Sequence, residues 1–297
     1  MENTNIYKLI ENMNKENIKL MDSEYYKKGK RVSYIEHFEI KKIINGIKKK
    51  NKEKKIRKYN KSNTAKSIIN NNDNIEKVRI AVYTSITGNY DNINIPNIQF
   101  DNVDYYIITD NPEKYKKYDK YYKIIENKNE NPILNNRYAK FHPFEYFKEY
   151  DYAIYIDGNI EIYGDIRKLV NYCNEKTGIA MHTHRDRNCI YDEAEVCKIL
   201  KKGNKQQIDE QIKSYKEEGF PKNYGMLEAN VIVSKIGNKS MEKIMKCWWE
   251  DFCNKKSYRD QLSLPYILWK NNYNIEDVGI LGYNVYENYI FRIHKHK

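Results

Sequence analysis

The densest group of chemically capable residues is Tyr155-Ile-Asp-Gly-Asn159, where an apolar run ends on a carboxylate followed, two positions on, by an amide. Asp157 and Asn159 offer hard oxygen donors of the kind that hold Mg²⁺ or Mn²⁺. A divalent cation there could neutralise a diphosphate leaving group. Gly158 between them lets a ligand come close to the backbone. Taken alone, an Asp-x-Asn triplet at a strand end is also ordinary turn chemistry. Upstream, Asn135-Asn-Arg-Tyr-Ala-Lys140 places Arg137 and Lys140 three residues apart on one helical face. Two cations so placed could grip a nucleotide diphosphate, or could simply be solvated charges on a surface helix.

Two other segments are rich in polar residues. Arg185 to Glu195 follows a predicted strand and enters a helix, and Ser257-Tyr-Arg-Asp-Gln-Leu-Ser263 precedes an amphipathic run. In the second, Ser257 suits a helix N-cap and Asp260 an electrostatic complement to the helix start. The functional alternative puts Asp260 in a cleft as a base or sugar-hydroxyl acceptor, with Gln261 adding the amide geometry that hydroxyl recognition uses. Histidines occur as His182-Thr-His184 and His294-Lys-His296. Alternate residues of a strand share a face, yet transition-metal ligation needs more partners than either pair supplies. The final pair could equally be a frayed tail. His37 and His142 have no evident partner.

These residues need a scaffold, and the pattern predicts one. Runs at 78–84, 104–110, 152–156, 178–182 and 229–234 read as strands; 136–148 (interrupted near Pro143), 241–252 and 261–270 read as helices. Strands alternating with helices predict an α/β fold with a mixed, mainly parallel sheet flanked by helices. Ligands on such sheets sit beyond the carboxyl ends of the strands, where Thr84, Asp91, Asp110, Asp157 and Asn159 collect.

The chain has 297 residues, of which 40% are hydrophobic, including 29 tyrosines, so it can bury a real core and is not a wholly disordered protein. The formal net charge of +12 is concentrated in residues 1–77, which hold 20 Lys+Arg against 10 Asp+Glu; residues 78–297 hold 33 against 31. We therefore expect two parts: a basic helical extension and linker over 1–75, and a catalytic domain over 76–297. In the extension Ile6, Leu9, Ile10 and Met13 recur at helix spacing, as do Ile35, Phe38, Ile43, Ile44 and Ile47 less cleanly. Residues 24–61 could meet an anionic membrane surface. A basic lipid- or RNA-binding protein is thus an alternative reading, although no RNA-binding aromatic motif or zinc spacing is present and no nucleic-acid partner is expected. Five cysteines with no CxxC pair indicate reduced thiols. No apolar stretch nears the roughly 20 residues a spanning helix needs, and the amino terminus does not read as a signal peptide. The expected location is cytoplasmic, peripheral on the inner membrane face.

Six segments together carry a resemblance: Thr84-Ser-Ile-Thr-Gly-Asn-Tyr-Asp91, Arg137-Tyr-Ala-Lys140, Tyr155-Ile-Asp-Gly-Asn159, His184-Arg-Asp-Arg-Asn-Cys-Ile-Tyr-Asp-Glu-Ala194, Gly225-Met-Leu-Glu228 and Arg259-Asp-Gln-Leu-Ser263. Over residues 78–297 the chain resembles the glycosyltransferase-like domain of unknown function 616, found in bacterial surface-polysaccharide loci and in plant proteins linked to mucilage and pectin. Residues 1–75 lie outside that resemblance. It implies a GT-A-like fold, a nucleotide-sugar donor (a UDP-sugar), a glycan or polysaccharide acceptor, and Mn²⁺ or Mg²⁺. By position Asp157 and Asn159 match the metal-binding Asp-x-Asp, an amide replacing the second carboxylate, and His294 or His296 matches a third ligand. Thr84 and Ser85 would receive base and ribose, Asp110 would lie near the nucleoside, and Glu228 and Asp260 would face donor sugar and acceptor. The implied mechanism has the metal, Arg137 and Lys140 stabilise the departing diphosphate. If transfer inverts, Asp260 is the first candidate base and Glu228 the second; if it retains, the diphosphate can take the proton. One branch resembling the family is described as an alkaline ceramidase, so an amide hydrolase is a further alternative, weakened by the lack of a Ser-centred nucleophile motif.

Overall fold

The structure, a computed structural model, describes residues 75–295 except 89 and 128–130, together with Lys50, Asn51, Lys54, Lys55 and Lys58, which are helical and exposed. The rest of the extension, His37 included, and His296 lie outside the described residues. The chain divides into two compact units, Met1–Lys54 and Lys55–Lys297; the sheet and the candidate site belong to the second. No helix among the described residues is long and apolar enough to cross a membrane.

In chain order the first elements are β1 (Ile80–Ile86), β2 (Val103–Thr109), α1 (Pro112–Tyr115), β3 (Lys123–Glu126), α2 (Pro132–Phe141), α3 (Pro143–Tyr146), β4 (Tyr152–Ile156) and β5 (Ile160–Ile162). There follow β6 (Ile179–Thr183), α4 (Ile190–Ile199), α5 (Lys205–Glu217), β7 (Leu227–Lys235), α6 (Lys239–Lys255), α7 (Asp260–Lys270), β8 (Gly279–Ile280) and β9 (Phe291–Ile293). Seven strands form one sheet in the order β3-β2-β1-β4-β7-β6-β8, and β5 pairs with β9 in a second. Within the large sheet only β7 runs against its neighbours β4 and β6; the other pairings are parallel. The expected mixed, mainly parallel sheet flanked by helices is therefore present.

Period-two alternation explains how both faces are sealed. Ala81, Tyr83, Ala153, Tyr155 and Ile232 point to one side, into a core shared with α2, α6 and α7. Ile80, Val82, Ile154, Ile156, Val231 and Val233 point to the other, against β5, β9 and the 3₁₀ turn Ile166–Tyr172. On the first side Trp248 of α6 is fully buried against Phe141, with ring centroids 4.5 Å apart.

The helix expected over 136–148 is in fact two. Asn131 caps α2 by accepting from the N–H groups of Ile133 and Leu134, so the helix begins four residues earlier than expected. It stops at Phe141, because Pro143 has no N–H to continue the ladder and instead opens α3. The segment from Arg185 enters α4, as expected. Helix α5 was not foreseen: in a strongly polar run, only Ile208, Gln211 and Tyr215 are buried.

This topology fixes where a ligand can sit. From β1 the chain builds outward through β2 to β3, then returns to the opposite side of β1 with β4. The crevice at the carboxyl ends of β1 and β4 is thus the switch point at which α/β sheets bind ligands.

Candidate active site

Asp157 follows the last residue of β4, and its N–H donates to Asn230 O at 2.9 Å, extending the β4–β7 pairing by one step. That register puts Asp157 opposite Asn230; β7 bulges between Glu228 and Ile232, and Asn230 Nδ2 lies 3.4 Å from Glu228 Oε2. The Asp157 side chain is half-buried, and its Oδ1 accepts the Tyr155 hydroxyl at 2.8 Å. Burial first, and the charge of Asp157 next, raise the Tyr155 pKa, so the phenol stays a donor. Period two could have singled out Tyr155, which sits two positions before Asp157 on the same face.

Gly158 serves the protein itself. A Cβ there would stand 3.0 Å from Ile86 and 3.2 Å from Asp91, so the glycine lets the β4–β5 turn pack onto the loop after β1. In that loop Gly88, at φ +60°, donates its N–H to Asp110 Oδ2 at 2.8 Å. Asp110 thus ties β2 to the β1 loop at the edge of the crevice. Thr84 and Ser85, near the end of β1, have buried hydroxyls with no hydrogen-bond partner among the described residues. Thr84, Asn94, Asp157 and Gly158 help line a cavity of about 20 Å³. An orphaned Thr84 hydroxyl beside that cavity suits a ligand that supplies the missing bond.

Asn159, the second expected metal donor, gives its Nδ2 to His294 O at 2.9 Å, while His294 N–H returns a bond to Asn159 O at 2.9 Å. The β5–β9 pairing therefore brings the tail to the Asp157 loop, but the imidazole is engaged elsewhere: His294 Nε2 lies 2.8 Å from Glu161 Oε2. The resemblance offers His294 as a third ligand; here its ring is drawn along β5 to Glu161. Among the described residues no three His, Cys, Asp or Glu side chains converge as a cage. Asp157 and Asn159 nevertheless fit a cation of the Mg²⁺ class, which needs only one or two protein oxygens when substrate phosphates and water complete its shell.

Arg137 and Lys140 both reach Asp260, 120 residues away in sequence for Lys140. Lys140 Nζ donates to Asp260 Oδ2 at 2.7 Å, and Arg137 Nε lies 3.2 Å from the same oxygen. Asp260 Oδ1 accepts the Gln261 N–H at 3.0 Å, at the first turn of α7. Burial opposes ionisation of Asp260, but Lys140 and Arg137 outweigh it and hold the carboxyl far below its usual range. A buried, doubly paired carboxylate is a poor proton acceptor, and this placement favours Asp260 as the complement to a helix start over Asp260 as the base. Lys140 is placed likewise: with its side chain 2% exposed, it serves Asp260 and lies 4.9 Å from the Tyr155 ring. Arg137, 25% exposed, stays near the site, and Asp157 is among the charges that raise its pKa. Two cations against one carboxylate leave a net positive charge beside Asp157. Gln261 Oε1 lies 3.4 Å from Arg259 Nη2, an intramolecular contact of the α7 start.

Removing Asp260 should therefore show in stability. Asp260→Ala strands Lys140 as a buried unpaired cation, at a cost of about 3 kcal/mol, or a fall of roughly 6–12 °C in unfolding temperature for a unit of this size. A thermal melt at pH 7 measures it, and an unchanged melting temperature would return Asp260 to a substrate-facing role.

Glu228, near the start of β7, is buried between two loops: Oε1 accepts Arg185 N–H at 3.2 Å, and Oε2 is 3.5 Å from Val285 N and 3.4 Å from Asn230 Nδ2. Desolvation outweighs those bonds and pushes its pKa up to about 7. Close by, Tyr286 rides on the 3₁₀ turn Val285–Glu287. Desolvation first, then the charge of Glu228, raises its pKa, with Asp186 and Asp157 adding to the effect. Tyr286 therefore stands near both Asp157 and Glu228, a placement that nothing local in its sequence announces.

His182 of β6 and His184 just after it are spent separately. His182 is fully buried with Nε2 2.9 Å from Asn288 Nδ2. His184 Nδ1 accepts the N–H groups of Asp186 and Arg187, both at 3.2 Å, and its Nε2 lies 3.6 Å from Glu193. Burial lowers the His184 pKa to about 4, so the ring is neutral near pH 7.

A comparison with curated proteins gives no match. Among solved structures, the chain is similar to the apo structure of the bifunctional glycosyltransferase WbbM, with 12% identity and a TM-score of 0.42 over 69% of this chain and 39% of that one. It is also similar to the apo form of the glycosyltransferase GlyE of Streptococcus pneumoniae TIGR4, with 13% identity and a TM-score of 0.37 over 67% and 44%. The chain spans less than half the length of either. The sequence profile of the TOD1/MUCI70 glycosyltransferase-like domain matches residues 25–293, beginning well inside the segment expected to lie outside the resemblance. With nine-tenths of its length matched, the chain belongs to the TOD1/MUCI70 family of glycosyltransferase-like domains.

Proposed function

We propose that the chain transfers a sugar from a nucleotide-sugar donor, a UDP-sugar, to a glycan acceptor with inversion, and that Glu228 is the general base. The observation that carries this reading is the link from Asp157, through Asn230 opposite it on β7, to Glu228 Oε2, 3.4 Å from the Asn230 amide, at the switch-point end of the sheet. A carboxyl group with a pKa of about 7 suits proton removal from a sugar hydroxyl at neutral pH.

Asp157 and Asn159 would hold Mn²⁺ or Mg²⁺, and the cation's contribution would be neutralisation of charge on the departing diphosphate. Arg137 supplies fixed positive charge on the same side, already oriented by Asp260. The unpartnered hydroxyl of Thr84 would offer a hydrogen bond to the nucleoside, with Asp110 holding the loop that follows β1. Glu228 takes the acceptor's proton as its oxygen attacks the anomeric carbon. The basic segment 24–61 would add a salt-sensitive attraction to an anionic membrane surface.

Calorimetry tests the donor half directly. UDP should bind in the presence of Mn²⁺ and lose roughly tenfold or more in affinity when EDTA removes the metal. Failure to bind any common nucleoside diphosphate, with the protein folded, would overturn the proposal. A panel of sugar nucleotides screened for slow hydrolysis then identifies the donor.

A further inference from the structure

We propose that Tyr286 and Arg185 form the acceptor subsite and that it takes a sugar residue bearing a negative charge, a carboxylate or a phosphate. This rests on Glu228 being the base. An acceptor hydroxyl must come to Glu228, and the residues whose backbones grip that carboxylate are Arg185 and Val285, the neighbour of Tyr286.

Both side chains are available there. Tyr286 is 61% exposed, and the Arg185 guanidinium carbon lies 5.5 Å from its ring centroid. The nearest carboxylate to Arg185 is Asp186 at 3.8 Å, beyond hydrogen-bond distance, and the arginine side chain is 42% exposed. The platform beneath them is firmly built. Tyr283 Oη donates to Arg185 O at 3.1 Å, Thr183 Oγ1 donates to Tyr283 O at 2.6 Å, and Asn284 caps the Tyr286 turn by accepting the Glu287 N–H at 3.0 Å.

The chemistry of the pair selects the ligand. An exposed aromatic face receives the C–H face of a pyranose ring, and a guanidinium fork matches the oxygens of a carboxylate or phosphate in a way no neutral hydroxyl does. Asp186, Glu228 and Asp157 all stand close to this point, so an anion is admitted only where Arg185 pairs with it. That requirement turns a charge preference into a positional one.

The test uses the full chain loaded with UDP and Mg²⁺, titrated by NMR with methyl β-glucuronide, glucose 6-phosphate and methyl β-glucoside. At least one charged sugar should bind roughly tenfold more tightly than the glucoside, as a charge-assisted hydrogen bond predicts. Arg185→Gln should abolish that preference, and Tyr286→Ala, which removes no charge, should weaken all three sugars, with UDP affinity intact in both variants. Preference for the glucuronide alone assigns a carboxylate, and preference for the phosphate alone assigns a phosphate. No preference in the wild type, no binding of any of the three sugars, or a preference that survives Arg185→Gln overturns the subsite. A wild-type chain that fails to bind UDP strikes the proposed function instead, so the two failures are distinguishable.

Discussion

Asp157→Ala should lower turnover of a sugar nucleotide by at least roughly 10³-fold, about 4 kcal/mol of transition-state stabilisation, while shifting the unfolding temperature by no more than about 4 °C. The asymmetry follows from position. Asp157 lies past the end of β4, half-buried, with the Tyr155 hydroxyl as its side-chain partner. Its loss unpairs one phenol, at about 1 kcal/mol, and leaves both cores untouched. The charge it would contribute to cation binding has no evident substitute, because Asn159 is neutral and Glu161 is engaged by His294. Asp157→Asn separates charge from shape: it can still accept from Tyr155, so its melt should match the wild type while its turnover falls nearly as far as that of the alanine variant. Turnover that survives either substitution would show that diphosphate charge is met elsewhere, and the cation role of Asp157 would be withdrawn.

The elements were legible because they are local. An apolar run closing on a carboxylate at Asp157, and the i, i+3 spacing of Arg137 and Lys140, can be seen without any tertiary information, and both lead to the crevice. Direction was not legible. Arg137 and Lys140 do share a partner, but that partner is Asp260, brought in by α7 from more than a hundred residues away. Spacing on one helix says that two cations act together, not which anion they meet. The same limit applies to His294, whose imidazole is claimed by Glu161 through the pairing of β5 with β9. Glu228 illustrates it in reverse. Its residue type is unremarkable in Gly225-Met-Leu-Glu228; what marks it out is burial between two loops, a property of the folded chain alone.

That burial makes Glu228 the residue at which activity and stability should part company. Glu228→Gln should lower turnover by roughly 10²–10⁴-fold, the contribution of a well-placed general base, and should abolish the rise of kcat/KM with pH, which in the wild type is centred on about 7. The same substitution should stabilise the protein in alkali. A glutamate pKa raised on folding means that the native state prefers the protonated form: its contribution is fully present below the unfolded value of about 4.5 and is lost as pH rises through about 7. Above that pH the buried carboxylate costs on the order of 3 kcal/mol. A glutamine is neutral at every pH and can still accept one of the N–H groups of Arg185 and Val285, so the variant should gain about 1–3 kcal/mol over the wild type at pH 8 and less than about 1 kcal/mol at pH 5. Parallel melts at the two pH values, beside a pH–rate profile, read both effects. A variant that is slow and also less stable at pH 8 would make Glu228 an anchor for two loops and not a base, since a carboxylate whose negative charge the fold tolerates has no reason to attract a proton near neutrality.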